Sequence, residues 1–351
     1  MAMKVCVIKN ISESGEEDWA VALSEKGIEF DIVEISDSDW MNRATKNEYD
    51  LYLVKPHSTL SLHKQLFDER IYLLNKVKCK CIYPSLNELL VYENKRVLSD
   101  WLKHFRIPHP RTFVFANEKE ASDFLESSPL PLVGKANIGA AGSGVHIIRS
   151  LREGKRIIRS AFRGNGVPRR FGPNLRRKGA ANAILGKICD PRFVLRRLSE
   201  YRAVAQDSSR GFLILQEFIG HDFEWRVVRI GSSFFAHKKL AFAEKASGTK
   251  KKEFLNPPES LLQFTKDITD EMGFSCVSVD IFEDSERGYL VNEVQTYFGQ
   301  SYDYLAAIDG RPGRFLEKDG KWVFEEGDFN RNHSYNLRLE HALEQYRAGL
   351  L

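Results

Sequence analysis

Three short stretches of this chain place residues that could do chemistry at useful spacing. In VSVDIFEDSERGYLVNEVQ, two strand-like runs flank a tight polar turn. A turn centred on Ser285 and Glu286 would set Asp280 diagonally across from Glu293 on one face, with Gln295 two residues further on the same face. Two carboxylates and an amide oxygen are hard oxygen ligands, suited to Mg²⁺ bridging phosphate groups. An amphipathic hairpin with solvent-facing acids would give the same pattern.

In VGKANIGAAGSGVHII, Lys135 ends an apolar strand, and Gly139, Gly142 and Gly144 follow within nine residues. A glycine loop can bring backbone N–H groups against phosphates while the lysine supplies positive charge. No G-K-[ST] opens a helix there, so it is not a Walker motif, and a plain glycine-rich hairpin turn would also explain it. In GFLILQEFIGHDFEWRVVRIG, an apolar strand delivers Gln216, Glu217, Phe218 and Ile219 before a glycine, then Glu224 and Arg226. Such a hinge could offer backbone groups and an apolar wall to an adenine ring, although a buried strand with a turn reads identically.

The surrounding elements can position these residues. The opening alternates MKVCVIK, EEDWAVALSEKG, FDIVEI, DLYLVKP, LHKQLFDERIYLLNKV and CKCIYP, a strand–helix pattern. Strands joined by crossovers of a dozen or more residues must run parallel, so residues 1–92 read as a Rossmann-like three-layer module. It has no G-x-G-x-x-G, hence no dinucleotide is assigned. Two prolines in RIPHPRTFVF end a helix and begin an extended strand. From Glu224 onward, hairpin signals dominate, interrupted by the helix PESLLQFTKDITDEMG and closed by SYNLRLEHALEQYRAG.

Composition sets bounds. The 351 residues are 42% hydrophobic and 28% charged, which fits two or three folded subdomains and leaves no room for long disorder. The N-terminal MAMKVCVIKN runs straight into a strand, and no segment approaches 18 uncharged apolar residues, so a cytoplasmic protein without a membrane span is expected. Five scattered cysteines argue for reduced thiols, with Cys79 and Cys81 packing as small apolar side chains on a short strand. The net charge of +4 conceals asymmetry: residues 149–202 hold 16 Lys/Arg against 3 Asp/Glu, or +13, which leaves −9 elsewhere. An acidic visitor to that segment is expected. His57, His104, His109, His221 and His237 are given no catalytic role.

Taken in this order, the three stretches resemble the ATP-grasp superfamily, particularly its carboxylate-amine ligases, over residues 84–300. The resemblance implies mixed α/β and α+β architecture: a Rossmann-like pre-ATP-grasp domain at 1–92, followed by a two-subdomain ATP-grasp fold. Its N-terminal subdomain would span 93–215 with a basic insert at about 150–205, and its C-terminal subdomain 216–351. It implies ATP and two Mg²⁺ ions. Lys95, Lys135 and Lys239 would meet phosphates, and the loop Gly139, Ala140, Ala141, Gly142, Ser143 and Gly144 would close over them. Gln216, Glu217, Phe218 and Ile219 would face adenine, and Glu224 the ribose. Arg226, with Lys135, would act on the reacting phosphoryl group, and Asp280, Glu293 and Gln295 would bind metal. Gln295 departs from the usual E-x-N, its amide one methylene further out.

DFEWRVVRIGSSFFAHKKL, KASGT, LVNEVQTYFG and WVFEEGDFNRNHSYNLRLEH are similar to ATP-grasp proteins of bacterial surface-glycan biosynthesis. The substrates implied are a small-molecule or glycan-linked carboxylate and an amine, met by Arg169, Arg170, Arg176, Arg177, Ser247 and Gly248. A homodimer is compatible with this reading. An ATP-grasp kinase acting on a hydroxyl, or a non-catalytic binder of anionic polymer, stays open. Nucleic acid is disfavoured because Phe171 is the sole aromatic in the loop GNGVPRRFGPNLRRKG, which leaves few stacking platforms.

Overall fold

The computed structural model describes residues 3–10, 16–56, 59–139, 142–169, 195, 198–199, 202–204, 206–207, 209–242, 245–246, 252–298 and 303–351. In chain order the first elements are β1 (Lys4–Lys9), α1 (Glu16–Glu25), β2 (Glu29–Glu34), α2 (Trp40–Thr45), β3 (Leu51–Val54), α3 (Ser61–Tyr72), β4 (Ile82–Tyr83), α4 (Leu86–Val91) and α5 (Lys95–His104). Then come β5 (Thr112–Phe115), α6 (Glu118–Ser127), β6 (Leu132–Lys135), β7 (Val145–Ile148), α7 (Leu151–Arg163) and β8 (Leu213–Glu217). The remainder comprises β9 (Phe223–Ile230), β10 (Ser233–Phe242), β11 (Lys245–Ala246), β12 (Lys252–Glu253), α8 (Glu259–Glu271), β13 (Cys276–Asp284), β14 (Gly288–Gln295), β15 (Ala307–Ile308), β16 (Arg311–Lys318), β17 (Lys321–Glu326) and α9 (Tyr335–Arg347).

Two compact units result: Met1–His57, His63–Arg111 and Ile219–Leu351 form one, and Ser58–Leu62 with Thr112–Phe218 the other. In the first, β2-β1-β3-β4 make a parallel sheet. Its inner strands β1 and β3 are apolar on both faces, as buried parallel strands must be, whereas the edge strand β2 carries Glu29, Asp31 and Glu34. Val5, Val7, Leu51 and Leu53 enter one core, while Cys6, Ile8, Tyr52 and Val54 enter another. Cys79 does not pack as expected: it is exposed, at φ +53°, and only Cys81 is partly buried. Cys6, Cys79, Cys81 and Cys276 are free thiols.

The first unit also holds the larger sheet β14-β13-β9-β10-β16-β15, in which neighbouring strands run antiparallel. Strand alternation sorts E-W-R-V into two faces. Trp225, Val227, Val279 and Ile281 point into the core, which leaves Glu224, Arg226 and Asp280 on the opposite face. In the second unit, β5-β8-β6-β7 form a four-stranded antiparallel sheet. Leu132, Ile148, Leu213 and Leu215 pack there with Leu125, Ile157 and Ile158 of α6 and α7.

Candidate active site

The polar face of the larger sheet is assembled by register. Glu224 and Arg226 lie two apart on β9, Lys239 and His237 stand opposite them on β10, and Asp280 faces Arg226 from β13. The β13–β14 pairing shifts between Asp280 and Ile281, skipping Asn292, so Asp280 lies directly opposite Glu293 rather than diagonally. The connecting turn is also longer than expected, since Asp284 pairs with Gly288 across Ser285 to Arg287.

Every carboxylate on this face meets a cation. Arg226 Nε and Nη2 donate to Asp280 Oδ1 and Oδ2 at 2.8 and 2.9 Å, a bidentate fork. Lys239 Nζ donates to Asp280 Oδ2 at 2.6 Å and to Glu224 Oε2 at 2.8 Å. Asn292 Nδ2, turned inward at the shifted register, donates to Glu224 Oε1 at 3.1 Å. Lys95, at the start of α5, lies 3.0 Å from Glu293 Oε1 and 3.7 Å from Glu93 Oε2, and Gln295 Nε2 donates to Glu93 Oε1 at 3.4 Å.

Burial would raise the Asp280 carboxyl, but Arg226 and Lys239 outweigh it and hold it well below the usual carboxylate range. Burial likewise works against the Lys95 ammonium, which Glu293 and Glu93 hold above its ordinary value. His237 is driven the other way, to about 3, by burial and by the charges of Lys252 and Arg226. It is therefore neutral, its Nδ1–H donating to the Leu305 carbonyl at 3.1 Å. Lys252 on β12 stands opposite Lys239, and burial together with Arg226 and Lys239 pulls its ammonium down to about 8.

In the second unit, Lys135 stands opposite Ile214, and Gln216, two residues on, shares that face of the sheet. Both are buried, and Gln216 Nε2 donates to Thr112 Oγ1 at 2.8 Å. The glycine segment folds back on β6: Ala136 N donates to Gly144 O at 2.8 Å, and a Cβ on Gly144 would lie 2.5 Å from that of Ala136. Gly142 has φ +70°. Gly139, Ser143, Glu217, Phe218 and Ile219 are partly buried.

Arg169, expected to meet substrate, is engaged within this unit. It donates from Nη2 to Asp207 Oδ2 at 2.7 Å and from Nη1 to the Thr59 carbonyl at 3.0 Å. Ala140, Ala141, Arg170, Arg176, Arg177, Ser247 and Gly248 lie outside the described residues.

Three residues at the polar face escaped the sequence reading, Glu93, Asn292 and Lys252, and His237, given no catalytic role there, also lies on it. Glu93 is 4% exposed at φ +47°, a conformation rare for a residue other than glycine and one that collects at functional sites. Its place two residues before Lys95 was the only signal.

The geometry matches known folds. A RimK-domain ATP-grasp protein from Sphaerobacter thermophilus superposes with TM-score 0.51 at 16% identity, over 83% of this chain and 90% of its own. D-alanine–D-alanine ligase from Bacillus anthracis, complexed with ATP, gives 0.55 at 12% over 99% and 100%. The chain therefore has the ATP-grasp fold. In sequence it is similar to the glutamate–LysW ligase ArgX of Sulfurisphaera tokodaii, 26% identical over 156 residues, and to that of Sulfolobus acidocaldarius, 24% over 156 residues. Each match covers 44% of this chain, which spans about half the length of these curated relatives. No family model matches.

Proposed function

We propose that the chain is an ADP-forming ATP-grasp ligase that joins a carboxylate to an amine. The observation carrying this is the sheet face where Asp280, Glu293 and Glu224 are each paired with Arg226, Lys95 or Lys239. Structural neighbours sharing the fold include ATP-bound and carbon–nitrogen-forming ligases, and the sequence relatives are named for joining glutamate to LysW.

Asp280, Glu293 and the Gln295 amide fit a hard cation in donor chemistry, although no group of three His, Cys, Asp or Glu side chains among the described residues is gathered to hold one. Bound there, Mg²⁺ would offset charge on the nucleotide phosphates. Lys95, Lys239 and Arg226 then have a second anion to pair with, so the cations now holding the carboxylates become phosphate ligands. Lys135 and the loop Gly139–Gly144 are assigned to phosphates, and Gln216–Ile219 to adenine.

In the reaction, a carboxylate oxygen attacks the γ-phosphorus and ADP departs, leaving an acyl phosphate. The amine nitrogen then attacks the acyl carbon, phosphate leaves and the nitrogen loses a proton. The side chains supply position and charge, not a nucleophile. Arg226 is assigned to the oxyanion of the tetrahedral intermediate. The carboxylate is glutamate or a small-molecule or glycan-linked acid, bound with help from the basic segment.

Calorimetry with Mg-ATP tests the site, and ADP release with glutamate and a panel of amines tests the reaction. Glu293→Gln should weaken Mg-ATP binding by about tenfold, equivalent to about 1.4 kcal/mol. Unchanged affinity removes Glu293 from the site. ADP release that yields a phosphorylated hydroxyl, without an amide product, would instead make the protein a kinase.

A further inference from the structure

The run NRNHSYNLRLEH, residues 330–341, has no role in the proposed reaction, yet it builds an unusual interior. Arg338 on α9 is 1% exposed, and its Nε, Nη1 and Nη2 have no hydrogen-bond partner. Its guanidinium carbon lies 4.1 Å from the ring centre of Phe298, 4.7 Å from Tyr297 and 5.4 Å from Tyr335. The Trp19 ring sits 4.8 Å from Tyr335 and 6.2 Å from Tyr83. Trp19 Nε1 and Tyr83 Oη are also buried without hydrogen-bond partners.

Among the described residues, no carboxylate pairs with the guanidinium. A guanidinium does not shed its proton in a protein, and ring faces offset only part of its lost hydration. Burial pushes the Cys276 thiol up to about 11, so it is uncharged, and the Tyr297 and Tyr335 hydroxyls bond each other. Glu88, the buried carboxylate of this region, already accepts from the backbone N–H groups of Ser275, Cys276 and Ser85 and from Ser85 Oγ. Beside this already satisfied carboxylate, the cluster offers guanidinium, indole and phenol donors that no anion among the described residues accepts from.

We propose that a small monovalent inorganic anion, of chloride's size and charge, binds at Arg338, Trp19 and Tyr83. One cation in an otherwise aromatic enclosure matches one negative charge, and a divalent oxyanion would leave its second charge dry and unpaired. Because Tyr297 and Phe298 stand two and three residues beyond Gln295, the bound anion steadies the end of the hairpin that carries Glu293.

The test is thermal unfolding of the full chain in sodium gluconate, exchanged stepwise for sodium chloride or bromide at fixed ionic strength. A saturable rise in Tm of about 2 °C or more is expected. Crystals soaked in bromide should show an anomalous peak beside the Arg338 guanidinium. Arg338→Met should abolish the halide response whatever its own Tm. If that variant does not fold, Trp19→Phe, which removes one donor, should weaken the apparent halide affinity several-fold. A response unchanged in the variant that folds, or crystals with only water at the guanidinium, overturns the proposal.

Discussion

Asp280→Asn isolates the charge network, because the amide keeps the shape of the carboxylate and removes only its charge. The native side chain is 4% exposed and accepts two hydrogen bonds from Arg226, itself 15% exposed, and one from Lys239 at 5%. Breaking a buried pair from one side costs roughly 3–5 kcal/mol, since the partner charge stays behind. Lys239 retains Glu224 at 2.8 Å, so the loss falls mainly on Arg226 and about 3 kcal/mol is expected. With urea dependences of at least about 2 kcal/mol per molar for a chain this size, the midpoint should fall by about 1 M. The double variant Asp280→Asn/Arg226→Met should recover at least about 1.5 kcal/mol relative to the summed single effects. A single-variant loss below about 1 kcal/mol, with additivity in the double, would show that the fork carries no coupling and that the reasoning fails.

Three further outcomes follow from local geometry. His237 and His341 are buried neutral, their imidazoles lowered by burial to about 3 and about 4, so the stability they contribute is present above pH 6.5 and lost as pH falls toward those values. At pH 5 each should cost about 2 kcal/mol, and His341→Gln should flatten the acid limb of a stability-against-pH curve. Gly144→Ala should destabilise by about 1–3 kcal/mol through its clash with Ala136, whereas Gly142→Ala, strained at φ +70° but unobstructed, should cost about 1 kcal/mol; the reverse order in urea unfolding would contradict the loop geometry. Arg169→Gln should lower stability by about 1.5–3 kcal/mol through loss of the Asp207 pair, and a variant of native stability that alters only the salt response of activity would restore Arg169 to a substrate role.

Strand alternation is local, so V-N-E-V-Q announces that Glu293 and Gln295 point together, whereas Glu224, Arg226, Lys95 and Lys239 take their roles from the family resemblance. What these side chains touch could not be read from sequence. The Arg226–Asp280 fork joins residues 54 apart, and its existence depends on the β9–β13 register. The skipped Asn292 moves Glu293 by one place, and no turn residue signals it. Glu93 enters the face through a left-handed backbone that an ordinary glutamate does not advertise. Cys79 shows the same limit from the other side, since a strand-like C-K-C spelling turned out to be a left-handed bend with an exposed thiol.

The arrangement of charge carries its own argument about purpose. A buried ion pair is a poor way to stabilise a fold, since well-packed apolar groups of similar volume often do as well or better. Here Lys239 holds both Glu224 and Asp280, Arg226 holds Asp280, and Lys95 holds Glu293 and Glu93, all on one sheet face. Arg226 and Lys239 keep Asp280 ionised, and the neighbouring carboxylates keep Lys95, Lys239 and Arg226 charged, so these groups are ready for an exchange of partners without a change of protonation. Ligands that arrive as a cation and a polyanion together would let the carboxylates turn to the former and the lysines and arginine to the latter, with little net change in buried charge. Mg-ATP is such a pair. On this account, nucleotide without metal should bind poorly, since its phosphates would draw off the cations and leave the buried Asp280 and the half-buried Glu293 unpaired. ATP titrated in excess chelator should therefore lose most of the affinity measured with Mg²⁺, and equal affinity in both conditions would show that the ion pairs are structural.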